Sequence, residues 1–379
     1  MVRSLNDFAR KHSFAGTFNK VGLYRDVLHF YNHECSLPFV YGISGLFGFS
    51  YYSIKNNFGS TENSKQNNDL YPDFKLPPFY TSGDYFFGFN NALRATNVWC
   101  QRGAKIDKLE FFELIKTYIN EGRPIAIDVE QTSWFKLTKL ATVSDDAYKS
   151  EFLSYENFLL NTTYKIGDYS IFCIGYDDQE STFQILDTHT SQPITISFED
   201  LYTCTNQHDT FCPPANKWYV FYVPPELPEK RNMVSFSISN TINLMTNPLK
   251  TDNSLFFGIK GLELFSAELK NTYNSFEKED IDRLTSYLLY SSCSLNSIHD
   301  YNRLMFSEFL NESAKLLNNK KLENVGKEYK NLSANWNDFF SILGNKDYSK
   351  ENNRTNAFSI LDKIIEKEKS TINLLQESL

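Results

Sequence analysis

A run of about 18 uncharged apolar residues, the length a membrane-spanning helix needs, occurs nowhere in this 379-residue chain. The opening MVRSLNDFARKHSF also lacks the apolar core that marks a signal peptide. A soluble, cytoplasmic protein with no membrane partner is therefore expected. Positive charge is scarce: 38 Lys and Arg stand against 46 Asp and Glu, a net charge of -8. A chain this acidic has little attraction for a phosphate backbone, so no nucleic acid is expected either. Paired cysteines are missing too. Cys35, Cys100, Cys173, Cys204, Cys212 and Cys293 show no CxxC spacing, which leaves no sign of a disulfide framework, a metal site or a cofactor. Cys204, His208 and Cys212 come nearest to ligand spacing, but Pro213 and Pro214 adjoin them and no fourth ligand is in view. They read as a loop.

What is present describes a folded protein rich in Phe and Tyr, 41% hydrophobic and 16% aromatic, and long enough for two domains. Val21, Tyr24, Val27, Leu28 and Tyr31 recur at helical spacing, with Asn19 as N-cap and Pro38 as the far limit. Gly42, Gly45 and Gly48 then alternate with aromatic and aliphatic residues, the pattern of backbone packed closely on a core or a ligand. Residues 56–84 are polar, aperiodic and proline-bearing, hence a long loop. Asp107 and Glu110 have capping-box spacing ahead of a helix that ends at Gly122. Ile125–Val129, Tyr169–Tyr176, Thr182–Asp187, Pro193–Phe198 and Trp218–Val223 read as strands, with a turn at 177–180 and a helix start near Glu199, while 136–165 shows no clear period. Beyond a proline-rich linker at 224–231, stripes at Leu262–Leu269, Ile281–Leu289, Leu304–Leu316, Trp336–Ile342 and Phe358–Leu375 make a helical bundle. The fold class is α+β: residues 1–225 form one domain and 226–379 a helical one.

LYRDVLHFY and SLPFVYGISGLFGFSYY, followed by GRPIAIDVEQTSWF and by DYSIFCIGYDDQESTFQILDTHTSQPITISFEDLY, resemble in order and spacing the butirosin biosynthesis protein H-like family. GIKGLELFSAELK, LSANWNDFFSIL and AFSILDKIIEKEKSTINLL are similar to the helical domain that often follows in that family. The resemblance implies a papain-like cysteine-protease fold over residues 1–225 and a setting in bacterial-type specialised metabolism. It also implies transfer of an acyl group from a thioester or acyl carrier protein to an amine, and leaves homo-oligomer formation open. That chemistry needs a thiolate, an imidazole and an orienting acid. The matching positions are Asn19, six before Arg25; Tyr169, six before Gly175; and Asp187.

Neither an amide nor a phenol replaces a thiolate and imidazole at neutral pH. Cys35 is an alternative nucleophile, in the sequence His33-Glu34-Cys35, though a helix C-terminus raises a thiol pKa. Cys173 reads as core. His189, two residues past Asp187, is either a substitute base or a solvated turn residue, and Tyr169 with Asp187 is either a remnant or a hydrogen-bonded pair lining a pocket. Two functions are compatible with this pattern: an acyltransferase or amide-forming enzyme with a rearranged site, and a non-catalytic scaffold that binds a metabolite, carrier protein or active homologue.

Overall fold

A computed structural model describes residues 2–13, 19–52, 81–82, 88–105, 107–138, 169–208, 213–247, 255–275, 299–343 and 351–379. Its elements begin with β1 (Val2–Ser4), α1 (Asn6–Lys11), α2 (Asn19–Phe30), α3 (Leu37–Ser44), β2 (Ser50–Tyr52), β3 (Thr81–Ser82) and α4 (Gly88–Thr96). They continue with β4 (Trp99–Ala104), α5 (Lys108–Asn120), β5 (Ile125–Val129), α6 (Gln131–Thr138), β6 (Tyr169–Asp177), β7 (Thr182–Leu186), β8 (Ile194–Ser197), α7 (Phe198–Thr205) and β9 (Lys217–Tyr222). The last are α8 (Lys230–Thr246), β10 (Leu255–Phe257), α9 (Gly258–Ser275), α10 (His299–Leu317), α11 (Lys320–Leu343) and α12 (Glu351–Gln376). The chain is thus α+β, divided into two compact units: Met1–Leu37 with Asn97–Leu227, and Pro38–Thr96 with Pro228–Leu379.

The first unit is built on a seven-stranded sheet in the order β4-β9-β5-β6-β7-β8, with β1 also pairing with β6. Every pairing in it is antiparallel. Strand β6 is the axis of this unit. β5 pairs with its first half, from Tyr169 to Cys173, and β1 with its second, from Gly175 to Asp177. Helices α1, α2 and α5 all pack on it. Its residues from Tyr169 to Tyr176 are accordingly buried without alternation, as a strand covered on both faces requires. Asp107 caps α5 by accepting from the Glu110 N–H at 2.9 Å, and Gly122, at φ +79°, closes it with the left-handed geometry glycine adopts readily. The β6–β7 turn is pinned by Asp177, whose carboxylate accepts from the Gln179 N–H at 2.9 Å.

The second unit packs α8 to α12 with α3, α4 and a small antiparallel sheet ordered β10-β2-β3. Phe47 stacks on Phe306 with centroids 4.0 Å apart. Phe49 lies against Phe265 and Trp336. A Cβ on Gly42 would fall 2.1 Å from the Phe309 ring, so the close approach expected of the glycine-rich stretch is to this aromatic core.

Three sequence expectations need correction. The 38–96 stretch, assigned by sequence to the domain ending at 225, belongs with the helical unit, because Phe39, Phe47 and Phe49 bury themselves against rings of α9, α10 and α11. Helix α2 stops at Phe30, well before Pro38, where the chain turns through a left-handed Asn32. Pro38 instead sits in the first turn of α3, where a missing N–H costs nothing. Of the expected 56–84 loop, Thr81–Ser82 form β3; the remainder lies outside the described residues, as do 139–165, the Ile281–Leu289 stripe, Cys212 and Cys293. Among the described residues no helix is long and apolar enough to cross a membrane.

Candidate functional site

Four consecutive residues after β7, Asp187-Thr188-His189-Thr190, are all buried, and each is held by a hydrogen bond with a residue distant in the chain. A polar tetrad does not enter a core unless its groups find partners. Asp187 accepts from the Tyr169 hydroxyl at the start of β6, from the Trp134 indole N–H of α6 at 2.6 Å and from the His189 backbone N–H at 2.9 Å. Burial by itself would raise the Asp187 carboxyl. The His189 ring, the Tyr169 hydroxyl and the His189 N–H outweigh it, and the carboxyl lies below its ordinary value.

The Tyr169 oxygen is also 2.6 Å from His189 Nδ1. A phenol has one proton and a carboxylate only accepts, so that proton goes to Asp187 and His189 Nδ1–H donates to the phenol oxygen. Tyr169 therefore bonds both acid and imidazole, and because His189 Nδ1 also lies 3.4 Å from Asp187 Oδ1 the three groups close a triangle. Phe135 flanks both Tyr169 and His189. His189 is only 4% exposed, so the solvated-turn reading is corrected: its neighbours Asp187 and Tyr169 compensate its burial.

Asn19 is the first residue of α2, and its amide does not cap that helix. Its Nδ2 donates to the Ser170 carbonyl at 2.8 Å and to Thr188 Oγ1 at 3.1 Å, while its Oδ1 accepts from the Ser170 N–H at 3.0 Å. The amide thus mimics a strand neighbour and fastens α2 to β6. The Ser170 hydroxyl in turn donates to Asp128 at 2.5 Å, and the Tyr219 hydroxyl satisfies the other Asp128 oxygen at 2.7 Å.

Thr190 is anchored by His12. The imidazole bonds Asp26 through Nδ1 at 2.6 Å and the Thr190 carbonyl through Nε2 at 2.8 Å. With an acceptor at each nitrogen, both must carry protons. Burial opposes that charge, but the Asp26 carboxylate and the Thr190 carbonyl prevail over it and over Arg25, and the His12 pKa is raised. Arg25 completes the cluster through Nε and Nη2 to the second Asp26 oxygen, at 3.2 and 3.1 Å.

Of the sequence candidates, the fold brings together Asn19, Tyr169, Asp187 and His189, and sets Cys35 apart. From Asn19 to His29 helix α2 advances about 15 Å, and Cys35 is held at that far end, its carbonyl 2.9 Å from His29 Nε2. Cys173 is fully buried, and burial pushes its thiol well above its ordinary value. The Cys204 thiol is pushed up to about 12 by burial and by the nearby Glu130 and Asp200 carboxylates, while His208 bonds Asn206. Among the described residues no group of three or more His, Cys, Asp and Glu is placed to hold a metal. Sequence reasoning missed Trp134, Ser170, Thr188 and the His12–Asp26–Arg25 cluster. The polar run Asp187–Thr190 directly after a buried strand was the available signal. No protein-family model matches the chain, and no curated protein is significantly similar to it in sequence.

Proposed function

We propose that this is a papain-like relative of thiol acyltransferases of specialised metabolism that has exchanged covalent catalysis for binding. Its ligands are an acyl thioester or acyl carrier protein, or the amine such a group is transferred to. The observation that carries the reading is the Asn19 amide, at the position matched to the thiol and fixed on the Ser170 N–H and C=O. A nucleophile must be able to approach a carbonyl carbon, and this side chain is a buried structural bridge. Cys35 lies at the wrong end of the helix to replace it.

A second reading is favoured by the Asp187–Tyr169–His189 cluster. In it the amine attacks the thioester directly: a C–N bond forms, the C–S bond breaks, and the amine proton passes by way of the His189 imidazole to the departing thiolate. Binding and alignment alone contribute several kcal/mol to such a reaction.

Intact-mass spectrometry and thiol release, measured with short acyl thioesters and a panel of amines, separate the two. The binding reading expects no saturable adduct on any cysteine and thiol release at the background rate, with the same result for Cys35→Ala. Amine-dependent thiol release abolished by His189→Gln would replace it with direct transfer. A saturable adduct on Cys35 would overturn both.

A further inference from the structure

The core of the helical unit contains an ion pair that is only half completed. Arg303 of α10 and Glu368 of α12 are both fully buried. Arg303 Nε donates to Glu368 Oε1 at 2.6 Å, and its Nη1 donates to the Gly48 carbonyl at 3.1 Å. Trp336 Nε1 adds a longer bond to the same Glu368 oxygen at 3.4 Å. Three atoms of the cluster have no hydrogen-bond partner: Arg303 Nη2, Glu368 Oε2 and the Tyr329 hydroxyl. Arg303 and Tyr329 border the same ring. Arg303 lies over the Phe47 ring at 5.0 Å, and Tyr329 meets the same ring edge-on at 4.9 Å. The Tyr329 phenol is raised well above its ordinary pKa, by burial first and then by Glu368, with Arg303 opposing.

Orphaned buried polar atoms are rare, and each costs free energy unless something pairs with it. Here they comprise two donors of a guanidinium, an acceptor of a carboxylate and a hydroxyl that does either. The charges of Arg303 and Glu368 already cancel, so an ion would bring uncompensated charge into a low-dielectric core. The aromatic walls Phe47, Phe306 and Trp336 are each 0% exposed, so the cluster lies well away from solvent. The occupant must be small, neutral, and both donor and acceptor.

We propose that this cluster is an internal water site, in which a water molecule accepts from Arg303 Nη2, donates to Glu368 Oε2 and shares its remaining bond with Tyr329. Such a water converts a single-bonded ion pair into a doubly bridged one and ties α10, α11 and α12 to one another. The inference is independent of the function proposed above, since all these residues belong to the helical unit.

Magnetic relaxation dispersion of water nuclei, which counts long-lived internal waters, tests it on the full chain. The expected result is the loss of one such water in the Arg303→Met/Glu368→Leu double variant relative to wild type. An unchanged count overturns the proposal. A high-resolution crystal structure of the wild type decides the matter even if the double variant does not fold: water density within hydrogen-bond distance of both Arg303 Nη2 and Glu368 Oε2 supports the site, and its absence overturns it.

Discussion

The two units treat buried carboxylates in opposite ways. In the sheet unit Asp26, Asp128, Glu130 and Asp187 are all buried, and both oxygens of each accept a hydrogen bond. In the helical unit Glu368 is buried with one oxygen bonded twice and the other unpaired within the protein. A sheet with short crossings supplies donors from many strands and loops, each at its own angle. Parallel rows of helix side chains supply fewer directions, and their backbone N–H groups are already used. Complete satisfaction makes the first network a rigid framework. Incompleteness makes the second a place for a ligand as small as water.

That contrast can be broken by mutation. The largest effect is expected for Glu368→Ala, which strands the Arg303 charge in an apolar core and costs about 3 to 5 kcal/mol; the apolar double variant at Arg303 and Glu368 is expected near wild type in urea unfolding. If the single and double variants are equally unstable, the ion pair is not the source of the cost. Asp187→Asn is next. It puts an amide N–H against a donor, either the Trp134 indole or the Tyr169 hydroxyl, and is expected to cost about 1 to 3 kcal/mol by the same measurement.

The smallest effect is a pH dependence confined to the sheet unit. The His12 pKa is raised on folding above 6.5, so the native state holds the proton more tightly than the unfolded chain. Its contribution is fully present below 6.5, declines as pH rises from there and is gone above the folded pKa. His12→Gln should flatten that limb of the stability profile and leave the acid side to Asp187 and Asp178, whose lowered pKa values place their loss below 3.8. Nitrogen NMR of the His12 ring offers a second check, with both nitrogens expected protonated at neutral pH. A singly protonated ring there would remove the link to Thr190.

Secondary structure was legible wherever period and punctuation agreed. The α5 capping box, β5, the β6–β7 turn and β9 lie where the pattern of apolar residues and turn formers puts them. The α2 boundary was misread because a proline limits a helix only when it falls inside one, and Pro38 begins another. Of the site, Tyr169 and Asp187 were legible as neighbours, since they flank a hairpin. The burial of His189 was not, because a histidine beyond a strand end looks the same whether its partners are water or Tyr169.

By itself the sequence determined the α+β class, the hairpin on either side of the 177–180 turn and the absence of a thiol at the start of α2. These follow from local periodicity and residue identity. Only the tertiary structure decided that 38–96 joins the helical unit, that Asn19 bridges to Ser170, that His12 reaches Thr190 and that Arg303 meets Glu368. Each of these joins residues far apart in the chain, the first through ring packing and the others through hydrogen bonds, and no linear spacing encodes either.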